Sequence, residues 1–160
     1  MLFYFGSKQA VLIELLKRVQ AIVVDQALKS AAQAGPAPVD RLVAFLHHQA
    51  KLGVTHRDEV LLLILMSLEF GEVAGEVRRL TSRIYRRLYR FVERLVREGR
   101  KDRSLRADLR PREMASLIMA NHDGTFLEWY RRSGSLGGPA LVRALREVVL
   151  AGVTNRRKSR

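Results

Sequence analysis

Apolar residues recur at three- and four-residue steps along almost the whole chain, and no stretch carries the two-residue alternation of a half-buried strand. Val11, Leu12, Leu15, Leu16, Val19, Ile22 and Val23 place one apolar stripe on a first helix from Gln9 to about Ala32. Ser7 stands before it as an N-cap, where a hydroxyl accepts a bond from a free backbone N–H of the first turn. Gly35-Pro36-Ala37-Pro38 closes it in a loop. A second helix, Val39 to about Leu52, sets Leu42, Phe45, Leu46 and Gln49 on one face, with Gly53 at its end. A third opens at Thr55-His56-Arg57-Asp58, with the spacing of a weak capping box, and runs to Phe70 and Gly71. It is apolar almost throughout Val60 to Leu68, so it is expected to be surrounded by other elements.

The fourth helix, about Glu72 to Glu98, is long and ends at Gly99; Val73, Val77, Leu80, Ile84, Leu88, Phe91 and Leu95 form its buried stripe. A charged connector, Arg100 to Arg110, follows. Pro111 fits the first turn of a fifth helix, where its missing N–H costs nothing, and this helix runs to about Arg132. After a Gly- and Ser-rich turn, Pro139 starts a last helix that fades near Gly152, and Thr154 to Arg160 is a basic tail. The fold class expected is all-α, with about six helices.

Composition narrows this further. A chain of 160 residues is one domain by default and can bury about 68–70% of its unfolded surface. There is no Cys, which excludes disulfides and thiolate metal sites and suits a reducing cytoplasm. The longest apolar run, Val60 to Met66, is far short of the roughly 20 residues of a membrane span. The start has neither a charged leader nor a small-residue cleavage site, so a soluble, cytoplasmic protein is expected.

The 29 Lys and Arg residues outnumber 16 Asp and Glu, giving a net charge of +13. Such a balance favours polyanionic partners, nucleic acid first. Only six of the basic residues are Lys, and a skew to Arg also follows from GC-rich codon usage. Arg79, Arg83, Arg86, Arg90, Arg94 and Arg97 form one polar face of the fourth helix. That face reads either as a nonspecific anion surface or as the solvated side of an amphipathic helix, the simpler reading.

Leu2-Phe3-Tyr4-Phe5-Gly6-Ser7-Lys8 before a long amphipathic helix resembles the junction between reader and body in the tetracycline-repressor-like (TetR) family of transcriptional regulators. Leu105-Arg106-Ala107-Asp108-Leu109 and Asp123-Gly124 are similar to the family as well. The resemblance implies that residues 1–6 are the end of a DNA-recognition helix and residues 7–160 a ligand-binding and dimerisation domain, with 7–32 as the linking helix. It gives Tyr4 and Lys8 the role of DNA-phosphate contacts and lets Phe5 pack the recognition helix onto the next one. The base-reading part of a helix-turn-helix is not in this sequence, so the chain by itself is not expected to read a DNA sequence.

The resemblance further implies a homodimeric repressor, controlled by a small-molecule inducer bound among the middle helices. The ligand must prefer the conformation that cannot bind operator DNA, shifting the linking helix like a pendulum. Met66 and Phe70 on the third helix, Tyr85 and Tyr89 on the fourth, and Asn121, His122 and Thr125 on the fifth are the candidate pocket residues. Residue by residue, ordinary core is the simpler reading of each. The scarcity of interior acids argues against a strongly cationic inducer.

The closing helices are apolar over more than one stripe, which suggests a partner surface. Ile118, Gly124, Phe126, Trp129, Leu141, Leu145, Val148 and Val149 are the candidate dimer contacts, Gly124 allowing a close helix approach. Neither an enzyme nor a cofactor or metal site is expected. Asn121-His122-Asp123 and His47-His48 are consecutive on helices and point about 100° apart, so they should not converge on one atom. Two alternatives stay open: a ligand-binding and dimerisation module without DNA binding, and a helical protein that binds nucleic acid nonspecifically.

Overall fold

A computed structural model describes residues 8–69, 75–132 and 135–155. Its helices are α1 (Lys8–Val19), a π-helical segment (Gln20–Asp25), α2 (Gln26–Gln33), α3 (Pro38–Thr55), α4 (Arg57–Glu69), α5 (Glu76–Lys101), α6 (Pro111–Arg131) and α7 (Gly138–Val153). α1, the π segment and α2 follow one another without a break, so they make the single first helix that the periodicity predicts. The described residues contain no strand, and the fold is all-α. None of the described helices is long and apolar enough to cross a membrane.

The π segment was not legible in the pattern. Ile22, Val23 and Val24 are consecutive, β-branched and all buried. In a helix of 3.6 residues per turn, three neighbours fan around more than half the circumference. A wider turn brings them closer to one side, and the Gln26 N–H accordingly reaches back five residues to the Ala21 carbonyl.

α5 is the axis of the bundle, packed against α1, the π segment, α3, α4 and α6. Its predicted stripe is buried at Val77, Leu80, Ile84, Leu88, Phe91 and Leu95, and Phe91 meets Phe45 of α3 with ring centroids 5.5 Å apart. An ion pair between Arg41 and Glu98, 2.9 Å, ties the same two helices at the edge of the core. The opposite face of α5, from Arg79 to Arg97, is exposed. Arg97 pairs with Glu93 one turn away, and Arg94 reaches Glu98 at 3.8 Å.

Three local expectations change. Gly53 and Gly99 do not end their helices, which continue to Thr55 and Lys101. Both glycines mark close approaches instead. A Cβ on Gly53 would stand 3.0 Å from the Phe126 ring, and one on Gly99 would stand 2.5 Å from Leu105 Cγ. α4 is not surrounded: Val60, Leu63 and Ile64 are buried, but Leu65 is 47% and Leu68 72% exposed.

The connector after α5 folds back under it. Leu105 is fully buried, and its N–H donates to the Gly99 carbonyl at 2.8 Å. The Arg106 N–H then donates to the Val153 carbonyl at 2.9 Å, so this turn also holds the end of α7.

Candidate functional site

Two cavities flank α6. The first, about 350 Å3, lies between α3, α6 and α7. Its walls are apolar: Ala50, Val54, Phe126, Trp129, Leu141, Val142 and Leu145. Gly53 contributes bare backbone, which is why the Phe126 ring can lie against α3 there. The polar groups are few. His122 and Gln49 are buried, Thr125 is half-buried, and the exposed His47, Lys51 and Arg143 are basic. No carboxylate lines this cavity among the described residues.

Gln49 sits on the apolar stripe of α3 because its amide has a partner: Nε2 donates to the Val23 carbonyl of the π segment at 2.8 Å. His48, next to it, lines neither cavity. Its Nε2 is buried without a hydrogen bond, and burial, helped by the charge of Lys51, holds its pKa below the ordinary histidine value.

The second cavity, about 420 Å3, lies between α4, α5 and α6. Met66, Thr81, Tyr85, Tyr89, Asp123 and Leu127 line it, with Arg78 and Ser82 from the outer side of α5. The Tyr85 and Tyr89 rings are neighbours, 6.4 Å between centroids. Burial, and then the charge of Asp123, raise both hydroxyls above the usual phenol range, with the Ser67 hydroxyl acting weakly the other way on Tyr85. The Thr81 hydroxyl is buried without a hydrogen-bond partner.

The candidate pocket residues are therefore divided rather than brought together. Met66, Tyr85 and Tyr89 belong to the second cavity, and His122 and Thr125 to the first. Asn121 lines neither; it is exposed, and its Nδ2 donates to the Leu117 carbonyl of its own helix at 2.8 Å. Phe70 and Tyr4 lie outside the described residues, as does the side chain of Lys8. With Asn121 turned to its own helix the three consecutive residues do not converge, although His122 and its neighbour Asp123 touch, Nδ1 to Oδ1 at 2.9 Å. They nevertheless serve different cavities. No three His, Asp or Glu side chains cluster as metal ligands among the described residues. Sequence reasoning missed Lys51, Val142 and Arg143 because nothing in a single helix shows which flank meets a cavity. Gln49 alone left a signal, as a polar residue on an apolar stripe.

The candidate dimer contacts divide too. Ile118, Phe126, Leu145 and Val149 are buried in the subunit's own core, and Trp129 and Leu141 are half-buried in the wall of the first cavity. Gly124 and Val148 face outward; a Cβ on Gly124 would meet nothing within 4 Å, and Val148 is 63% exposed. Leu117, 57% exposed, lies seven residues before Gly124 and so on the same face of α6.

Comparison with known proteins gives these features a context. The family model described as "Tetracyclin repressor-like, C-terminal domain" matches residues 35–153. The chain is similar to the MbdR regulator from Azoarcus sp. CIB, at 41% identity and a TM-score of 0.86, over 96% of this chain and 81% of that one. A putative transcriptional regulator from Saccharomonospora viridis, solved with choline, is 21% identical with a TM-score of 0.84, over 97% and 79% of the two chains. AibR, solved with isovaleryl coenzyme A and operator DNA, is 16% identical with a TM-score of 0.74, over 92% and 77%. These last two likenesses are of fold alone. No curated protein sequence matches. With a family model matched from the first loop to the end of α7 and a regulator 41% identical over 96% of this chain, the chain belongs to the tetracycline-repressor-like family of transcriptional regulators, whose C-terminal domain it carries.

Proposed function

We propose that this protein is a homodimeric transcriptional repressor whose grip on operator DNA is released by a small organic ligand in the α3/α6/α7 cavity. One observation carries the ligand reading: an apolar cavity whose exposed polar residues are His47, Lys51 and Arg143, with no carboxylate in its described lining. Apolar walls with a few placed polar groups are what a small-molecule site needs. The basic residues select an apolar body with an anionic head, such as a carboxylate or an acyl thioester of a phosphorylated carrier. The complex of AibR with isovaleryl coenzyme A supports that class.

Residues 7–160 supply the ligand and dimer surfaces in this reading, and Tyr4 and Lys8 contact DNA phosphates. Leu117, Gly124 and Val148 supply the middle of an α6/α7 interface, the small Gly124 letting the partner helix come close. An exposed apolar face of this kind is the usual material of a two-fold contact.

A second reading rests on Asp123. It stands with Tyr85 and Tyr89 in the other cavity, and a carboxylate beside aromatic rings suits a small organic cation. The choline bound by the Saccharomonospora viridis regulator supports it.

Trp129 is the only tryptophan, and it lines the first cavity, so its emission reads occupancy directly. Titration with decanoate, decanoyl coenzyme A and choline separates the readings. Saturable change with the anions supports the first. Trp129 does not line the second cavity, so choline is followed by calorimetry: saturable heat, lost in Asp123→Asn, supports the second reading, and no saturable heat or emission change with any of them defeats both.

A further inference from the structure

We infer that Gln49 is the sensing residue that couples the α3/α6/α7 cavity to the first helix, by holding the π segment in its wide form. The inference rests on the reading of that cavity as the ligand site. Gln49 is 3% exposed, it lines the cavity, and its Nε2 donates to the Val23 carbonyl at 2.8 Å. One residue thus borders the space a ligand would fill and bonds the irregular turn of the helix beneath it. It is the only residue among those described that the cavity lining and the hydrogen bonds to the π-segment backbone share.

The π segment is a place where the first helix can change length by a register step. Its far end is fixed to the bundle by the Asp25–Arg87 ion pair at 2.6 Å, and α2 is packed on α3. If the turn narrows to an α-helical one, the α1 side turns by about 100° and moves by about 1.5 Å for each residue absorbed. π turns inside α-helices recur at functional sites. A carboxylate in the cavity, drawn by Lys51 and Arg143, takes the second N–H of the Gln49 amide and pulls the side chain away from the π segment. Its departure removes the side-chain bond to Val23 and leaves the segment free to narrow.

Hydrogen exchange of the backbone amides of residues 20–28, with decanoate as the probe and Trp129 emission as the monitor of occupancy, tests this. Saturating decanoate should change exchange in that segment by roughly three- to tenfold, the worth of one net hydrogen bond. Gln49→Met keeps the side chain's bulk without a donor; there the segment should start in the shifted state, and decanoate raised until Trp129 emission saturates should alter it no further. A purely structural Gln49 would leave the decanoate response of the segment intact in the variant, and that result overturns the inference. So does a Trp129 response in the unmodified protein with unchanged exchange at 20–28, which needs no variant to fold. A Trp129 emission that ignores decanoate instead removes the cavity reading, and the inference falls with it.

Discussion

His122 Nδ1 and Asp123 Oδ1 lie 2.9 Å apart on the same turn of α6, yet His122 faces the cavity beneath α7 and Asp123 the cavity beside Tyr85 and Tyr89. A carboxylate can only accept, so Nδ1 carries the shared hydrogen. The pair sets an imidazole on one side of α6 and a carboxylate on the other, joined by one hydrogen bond.

The tyrosines of the second cavity should report the charge of Asp123. Burial first, and that charge second, keep the Tyr85 and Tyr89 hydroxyls protonated beyond the usual range. The folded state then holds protons that the unfolded chain gives up near pH 10. Stability from this source is fully present below about pH 10 and falls as the pH rises past it. Asp123→Asn should bring the tyrosinate absorbance titration down towards the ordinary value without reaching it, since burial remains. An unchanged titration would mean the carboxylate does not act on these rings.

Gly99→Ala should destabilise the fold by about 1–3 kcal/mol. The new Cβ would stand 2.5 and 2.6 Å from Leu105 Cγ and Cδ1, and Leu105 is fully buried with its backbone bonded to the Gly99 carbonyl. Urea unfolding measures the loss, and adding Leu105→Ala should make the two costs less than additive. Full additivity would show that the two residues do not meet.

If the proposed α6/α7 dimer forms, Leu117→Glu together with Val148→Glu should turn it to monomer in light scattering, with its helical circular dichroism unchanged. Both side chains are more than half exposed in the subunit, so the charges cost the isolated fold little. Gly124→Ala sharpens the test. In a lone subunit nothing crowds the added methyl, and the helix should gain about 1 kcal/mol. Across a close helix contact, the same methyl weakens the dimer. A dimer that survives all three changes has its interface elsewhere.

Lys51→Glu with Arg143→Glu should weaken decanoate binding, read by Trp129 emission, by roughly three- to tenfold at low salt. Both side chains are exposed on the lining of the first cavity, so the effect should shrink as salt screens it. Equal affinity in the variant would place the carboxylate away from these residues.

The helices were legible because burial on one side of a helix leaves a period in the chain. The stripe of α5 reads correctly from Val77 to Leu95, and Pro111 begins α6 as its missing N–H allows. The family was legible from one short junction and two later fragments. Glycine was ambiguous: Gly53 and Gly99 look like helix ends, but Phe126 and Leu105, far along the chain or in the next loop, explain them. Apolar richness was ambiguous as well. In α4 it includes the exposed Leu65 and Leu68, and in α6 and α7 it divides between core, cavity wall and open face.

By itself the sequence determined the all-α class, the order of the helices and the family, since all three are written in local period, capping and a contiguous motif. Tertiary structure alone decided that Tyr85 and His122 belong to different cavities, that Gln49 bonds Val23, and where the first helix widens. Those outcomes depend on which face of one helix meets which face of another. That pairing is set by packing between residues distant in the chain, and no local pattern records it.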